Sequence, residues 1–171
     1  MGHTATDQTD RTANEAVHRL RRLLDSQRFA VLATQQQGGH PYTSLLAFTV
    51  ADDLATLTFC TLRTTRKFAN LEAEPRVSLL IDDRDNAETD LQDAAAVTVL
   101  GEAEELTGDA REREVDRFLG RHPAMADFIR SPGCALMRVA VRAYYLVTRF
   151  QNVIELYPAD GTFRTADPEP G

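Results

Sequence analysis

The chain has 171 residues and a mass of 19.0 kDa, a size typical of one domain with its own hydrophobic core. Hydrophobic residues make up 43% and charged residues 26%, a balance that excludes a wholly disordered or collagen-like chain. The formal net charge of -7 argues against general nucleic-acid binding and against docking on anionic lipid.

Cysteine usage and the termini indicate the compartment. Cys60 and Cys134 lie far apart without a CxxC motif, so we interpret both as ordinary thiols of a cytoplasmic protein rather than a disulfide or metal site. No apolar run approaches the ~18–20 residues of a membrane span, and the polar N-terminus lacks the apolar segment of a secretory signal. We predict tails at 1–11 and 159–171 around a single domain over 12–158.

The first half of the chain predicts a helix followed by a meander of strands. The helix starts near Thr12, which has capping-box spacing to Glu15, and carries an apolar stripe from Val17 to Leu24. Three short strands joined by tight turns follow over 29–34, 42–50 and 54–61. Neighbouring strands with such short connections favour an antiparallel sheet or barrel.

The second half alternates helices with longer strands. Pro75 ends a short helix, the acidic segment 82–93 is typical of a solvated loop, and Gly101 indicates a bulge in a long strand. The predicted helices cover 64–73, 109–119 and 123–130, and the predicted strands cover 76–81, 94–106, 136–147 and 153–157. The fold class is therefore mainly β, with flanking helices.

Standard catalytic motifs are absent from the sequence. The four histidines lack metal-ligand spacing, and the chain has no GxSxG elbow, no Walker-type phosphate loop and no GxGxxG fingerprint. The sequence therefore predicts no metal site and identifies no catalytic residue.

The segment LTFCTLRTTRK, residues 57–67, has the composition of a phosphate site. A strand ends near Thr61 and a helix begins near Thr64, so free backbone N–H groups collect beside threonine hydroxyls and the cations Arg66 and Lys67. Cations at a helix N-terminus oppose the helix dipole, and a bound anion would offset that repulsion. The alternative is that both cations are solvated and paired with Glu72 or Glu74.

At this segment the sequence resembles the pyridoxamine 5'-phosphate oxidase-like FMN-binding split barrels. The resemblance runs from Phe59 to Asp82, with PRVSLL repeating a family strand almost letter for letter, and extends over roughly 29–156. It implies an antiparallel split β-barrel, FMN as cofactor and a homodimer. It places the FMN phosphate on Thr65, Arg66 and Lys67, next to the strand end at Cys60 and Thr61.

The same resemblance assigns the ring of the flavin. GHPYTSLLAF matches the strand whose backbone lies against the ring, which is formed here by Ser44, Leu45, Leu46 and Ala47. On residues alone, SLLA is typical of any buried strand, so this role rests on the resemblance. Phe150 is a candidate for packing on the dimethylbenzene edge; the alternative is a core aromatic.

Departures from the true oxidase separate FMN binding from vitamin oxidation. Ser44 and Thr49 stand where the oxidase has an arginine and a substrate lysine, and Ala96 and Val147 replace its glutamine and tryptophan. Its Arg-x-His has no counterpart after Phe150. The pattern is closer to the branch that includes haem-utilisation proteins, and pyridoxamine 5'-phosphate is not expected to be a good substrate.

Two functions remain open from the sequence. The first is an FMN-dependent oxidoreductase that acts on a small-molecule substrate, with nicotinamide or a deazaflavin as electron donor. The second is a non-enzymatic flavin or haem carrier on the same barrel. A visible spectrum distinguishes a flavin from a haem chromophore.

Overall fold

The computed structural model of the chain describes residues 3–148, 152–159 and 162–165. The helices are α1 (His3–Ser26), α2 (Arg66–Ala73), α3 (Asp90–Asp93), α4 (Gly108–Arg121) and α5 (Ala126–Arg130), with a 3-10 turn at Pro123–Met125. The strands are β1 (Phe29–Gln35), β2 (Pro41–Val50), β3 (Thr56–Leu62), β4 (Arg76–Asp82), β5 (Ala95–Glu105), β6 (Cys134–Thr148), β7 (Asn152–Ala159) and β8 (Thr162–Thr165).

Six of these strands close into an antiparallel barrel, which confirms the predicted fold class. The strand order is β3-β2-β1-β4-β5-β6, and the pairing of β3 with β6 closes the circle. The first half of the long strand β6 pairs with β3, from Cys134 to Ala140, and its second half pairs with β7. Strands β7 and β8 therefore extend the sheet beyond the closed part.

Two hydrophobic clusters hold the helices against the barrel. The main cluster fills the barrel, and Leu20 and Leu24 of α1 join it at one end. The second cluster lies between helices α4 and α5 and the outer face of the sheet, with Phe118 and Ile129 fully buried. Because side chains alternate along a strand, neighbouring residues of β2 and β3 belong to different clusters.

The bulge predicted at Gly101 is confirmed. The register between β5 and β6 shifts between Leu100 and Gly101. A Cβ at Gly101 would lie 2.5 Å from the Ala140 carbonyl oxygen and 2.6 Å from Val139 Cγ1. Only glycine fits this close approach of the two strands.

Several element boundaries differ from the sequence predictions. Helix α1 begins at His3, so its predicted start at Thr12 is wrong: the preceding polar residues contain no proline or glycine to stop the helix. Strand β8 lies in the segment predicted as a C-terminal tail, and the acidic loop ends in the short helix α3. Across the described residues, no helix combines the length and apolar character that a membrane crossing requires.

Candidate functional site

Two threonine hydroxyls meet where β3 passes into α2. Thr61 is 2% exposed, and its Oγ1 lies 2.9 Å from Oγ1 of Thr65. Thr65 donates its single hydroxyl proton to the Leu62 carbonyl at 2.8 Å, which leaves Thr61 as the donor between the two hydroxyls. The strand end and the helix start are thus fixed to each other by side-chain hydrogen bonds.

Thr65 also caps helix α2. Its backbone is extended, and its Oγ1 accepts a hydrogen bond from the Phe68 amide at 3.4 Å. The first amides of a helix have no carbonyl partner within the helix. With Phe68 capped, the amides of Arg66 and Lys67 are the donors directed outward at this terminus, where the helix dipole favours an anion.

The cations of this turn are not neutralised by the described residues. Neither Arg66 nor Lys67 forms an ion pair within the part of the chain that the structure describes. Glu74, one of the two carboxylates expected in the alternative interpretation, instead binds the Arg76 guanidinium through both of its oxygens. Those bonds lower the pKa of Glu74 to about 2.

The four residues of β2 that were predicted to contact a flavin, Ser44 to Ala47, point in alternating directions. Leu46 joins the barrel core and Ala47 joins the second cluster, whereas Leu45 is 68% exposed on the outer face of the sheet. Ser44 Oγ is buried without a hydrogen-bond partner among the described residues. A buried hydroxyl without a partner is costly, so Ser44 has an unused hydrogen-bonding group on the predicted flavin strand.

Cys60 lies on the opposite face of β3 from Thr61. Its side chain belongs to the second cluster together with Cys134, and burial raises the pKa of the Cys60 thiol to about 12. The structure therefore brings Thr61, Thr65, Arg66 and Lys67 together and places the Cys60 thiol elsewhere. The candidate Phe150 lies outside the described residues.

An exposed apolar surface crosses the outer face of the barrel beside Leu45. Val31 on β1 is the cross-strand partner of Leu45 on β2 and of Leu80 on β4. Phe29 precedes Val31 by two positions and therefore lies on the same face. Phe29 is 58% exposed and Leu80 is 37% exposed. We call Phe29, Val31, Leu45 and Leu80 the outer apolar row.

The positions that differ from the true oxidase are also placed. Thr49 is 3% exposed, and its Oγ1 has no hydrogen-bond partner among the described residues. Ala96 on β5 and Val147 on β6 are direct cross-strand partners. Neither Ala96 nor Val147 has a polar side chain.

Tyr42, which was not among the predicted site residues, has its ring under the Arg66 guanidinium. Arg66 Cζ is 5.8 Å from the ring centroid. Alternation along β2 places Tyr42 on the face that Ser44 shares, but no local signal joins two residues on separate elements. The same holds for the buried bond from Asn70 Nδ2 on α2 to Thr34 Oγ1 on β1.

These residues fit a flavin mononucleotide in two respects. The outward amides of Arg66 and Lys67 and their side-chain cations, which form no ion pair among the described residues, make a donor set that suits a phosphate monoester. The exposed Leu45 side chain on the outer face of β2 suits contact with a flat, largely apolar ring, and the Ser44 hydroxyl on the opposite face is a separate hydrogen-bonding group of the same strand.

Solved structures with the same fold include flavin-binding and haem-binding proteins. A haem-binding protein from Mycobacterium smegmatis is 21% identical with a TM-score of 0.74, over 84% of this chain and 58% of that protein, so this chain spans less than two-thirds of its length. A haem storage protein from Vibrio cholerae is 17% identical with a TM-score of 0.65, over 77% and 92%. An FAD-binding protein from Mesorhizobium loti is 21% identical with a TM-score of 0.62, over 76% and 90%.

These identities support a shared fold alone. Comparison with curated proteins gives no match. The sequence profile of pyridoxamine 5'-phosphate oxidase matches residues 16–148, which include the whole closed barrel and the threonine–cation turn at the start of α2. The chain therefore belongs to the pyridoxamine 5'-phosphate oxidase family.

Proposed function

We propose that this protein is an FMN-binding homodimer that acts as an oxidoreductase on a small molecule. The observation that carries the proposal is the turn from Thr61 to Lys67, where two linked hydroxyls lie beside outward amides and two cations that have no carboxylate partner among the described residues. In this arrangement the amides of Arg66 and Lys67 hold the FMN phosphate, and their two side-chain cations balance its charge. The hydroxyl proton of Thr65, a residue predicted to contact the phosphate, is already donated to the Leu62 carbonyl, so Thr65 fixes the turn instead.

Strand β2 positions the ring in the proposed complex. Leu45 offers apolar surface to the ring on the outer face of the sheet, whereas the Ser44 hydroxyl points to the opposite face of the strand. Bound FMN supplies hydride and electron transfer, while this chain orients the cofactor and excludes water from one side of it. The turn over residues 61–67 contains no carboxylate and no imidazole, so we assign no proton transfer to the protein.

The substrate of the proposed enzyme differs from that of the true vitamin oxidase. A substrate phosphate needs cationic partners, and the corresponding position here is Thr49, a neutral and almost fully buried side chain. Ala96 and Val147, which pair directly, supply no hydrogen bond from the position of the family's glutamine and tryptophan. We therefore propose a substrate other than pyridoxamine 5'-phosphate.

The outer apolar row supports the proposed dimer. Leu45 and Phe29 expose most of their side chains, and Leu80 lies across β1 from Leu45 on the same face. Contiguous exposed apolar surface on a sheet is typical of an interaction site. A second copy seated on the outer apolar row would cover it. Because Leu45 belongs both to this row and to the surface proposed to contact the ring, the same copy would also enclose a ring lying along β2.

Ligand titration of the purified protein tests the proposal. FMN, riboflavin and haem are added separately, and binding is followed by flavin fluorescence quenching and by visible absorption. We expect FMN to bind more tightly than riboflavin by about two decades or more, because only FMN carries the phosphate. Haem binding with no flavin binding would favour a haem carrier, and flavin binding without turnover by any reductant would favour a flavin carrier.

A further inference from the structure

Tyr42 and Arg66 form a cation–aromatic contact at the edge of the phosphate turn. The Arg66 Cζ lies 5.8 Å from the centroid of the Tyr42 ring, within the range in which a guanidinium is attracted to the ring face. Tyr42 is half-buried on β2, whereas Arg66 is exposed at the first position of α2. The ring is thus the more fixed of the two groups.

A buried polar relay holds this ring in register with helix α2. Tyr42 is the cross-strand partner of Thr34, whose hydroxyl donates to the Tyr42 carbonyl at 3.4 Å. The same hydroxyl accepts a hydrogen bond from Asn70 Nδ2 of α2 at 2.9 Å. Strand β2 and helix α2 are therefore tied together through one side chain of β1.

We propose that Tyr42 is a positioning residue that aims the Arg66 guanidinium at the flavin phosphate and so strengthens the preference for FMN over riboflavin; this inference rests on the proposed function. An exposed arginine samples many rotamers, and fixing it for a ligand costs side-chain entropy. Packing on a ring face restricts those rotamers while it leaves the guanidinium N–H groups free, since the contact uses the π-face and not a hydrogen bond.

The test compares FMN and riboflavin affinities in variants at position 42. We expect Tyr42→Leu to raise the FMN dissociation constant about three- to fivefold, the size of an exposed cation–aromatic contact, and to leave riboflavin within about 1.5-fold. Tyr42→Phe keeps the ring face and is expected to stay within about twofold of the wild type for both ligands. Tyr42→Thr serves as a second ring-free variant.

Two further variants separate an effect on Arg66 from a general change in the strand. In an Arg66→Ala background, Tyr42→Leu is expected to change FMN affinity by less than about 1.5-fold, because the partner of the ring is gone. Pentafluorophenylalanine at position 42 keeps the shape of the ring but removes its negative face, and is expected to weaken FMN as Tyr42→Leu does.

The outcomes distinguish this inference from the proposed function. If the wild type does not bind FMN, or if Arg66→Ala binds it unchanged, the phosphate assignment fails and the role of Tyr42 fails with it. If Arg66→Ala weakens FMN while Tyr42→Leu does not, only the role of Tyr42 is overturned. Equal losses for FMN and riboflavin, or a loss that persists without Arg66, likewise reject positioning and indicate a structural role.

Discussion

The side-chain amide of Asn70 donates a hydrogen bond to the hydroxyl of Thr34 at 2.9 Å, and both residues are buried. This side-chain hydrogen bond joins helix α2 directly to strand β1. It fixes the helix whose first turn carries Thr65, Arg66 and Lys67. The position of the proposed phosphate turn thus depends on a polar contact inside the protein.

Replacing Asn70 should therefore destabilise the fold. We expect Asn70→Ala to lower the free energy of unfolding by about 1–3 kcal/mol, because the Thr34 hydroxyl is left buried with one bond fewer. Urea unfolding followed by circular dichroism measures the change. Glu72→Ala, an exposed site on the same helix, is the control and should stay within about 0.5 kcal/mol of the wild type. Equal effects of the two substitutions would contradict the prediction.

Removing both cations of the turn should weaken FMN selectively. Each charge-assisted hydrogen bond contributes roughly 1.5–3 kcal/mol, so Arg66→Ala/Lys67→Ala should cost about 3–6 kcal/mol, or about two to four decades in FMN dissociation constant. Riboflavin should be almost unaffected. Fluorescence quenching titrations measure both affinities.

The matched control for this variant is Arg113→Ala/Arg130→Ala, which removes the same charge from exposed positions on α4 and α5. It should leave both affinities unchanged. An equal loss for FMN and riboflavin in the Arg66→Ala/Lys67→Ala variant would indicate a folding defect instead of a phosphate site.

The bulge glycine should tolerate no side chain. Gly101→Ala places a methyl group 2.5 Å from the Ala140 carbonyl oxygen, so we expect a loss of about 1–3 kcal/mol in unfolding free energy. Gly120→Ala is the control, since a Cβ there meets nothing within 4 Å inside helix α4. It should be neutral or stabilising by up to about 1 kcal/mol. A Gly101→Ala protein as stable as the Gly120→Ala protein would refute the bulge argument.

Charges placed on the outer apolar row should dissociate the proposed dimer. Phe29→Glu/Leu80→Glu puts two carboxylates into a surface that a second copy would desolvate. We expect a dimeric mass for the wild type by light scattering and a monomeric mass for this variant, with weakened FMN binding. Gln37→Glu/Ala124→Glu adds the same charge at exposed positions elsewhere and should remain dimeric. A wild type that is monomeric with flavin bound would reject the proposed dimer.

Stability should fall at alkaline pH. Burial, with the neighbouring Cys134 as a further cause, raises the pKa of the Cys60 thiol from 9.0 to about 12. The unfolded chain therefore loses this proton first, so the stability contributed by the neutral thiol is complete below pH 9.0 and is lost as the pH rises towards about 12. Urea unfolding at increasing pH should show a shallower decline for Cys60→Ala than for the wild type. Identical slopes would contradict this assignment.

The barrel was predictable because its information is local. The alternation of residues in β1, β2 and β3 and the tight turns between them indicate an antiparallel meander directly. Gly101 marks the bulge within a single strand. These signals do not depend on residues far away in the chain.

Contacts between distant residues were not predictable in the same way. Two contacts join separate elements: the Tyr42 ring lies under Arg66, and the Asn70 amide donates to Thr34. No spacing of residues in the sequence predicts either contact. The face of β3 on which Cys60 lies was also not predictable from the motif. Cys60 and Thr61 are adjacent in it, and a strand directs adjacent side chains to opposite faces. The polar start of α1 gave no apolar period from which its first turn could be inferred.

The pairing of β3 with the first half of β6 has a kinetic consequence. These strands are separated in the chain by α2, β4, α3, β5, α4 and α5, so their contact closes a long loop. Closing a long loop costs chain entropy, and the contacts that compensate this cost form late. Topologies rich in distant pairings therefore fold slowly. Pairing of Cys134–Ala140 with β3 is thus the step at which refolding is expected to slow. Until this pairing forms, the unpaired edges of β3 and β6 stay open to pairing with another chain.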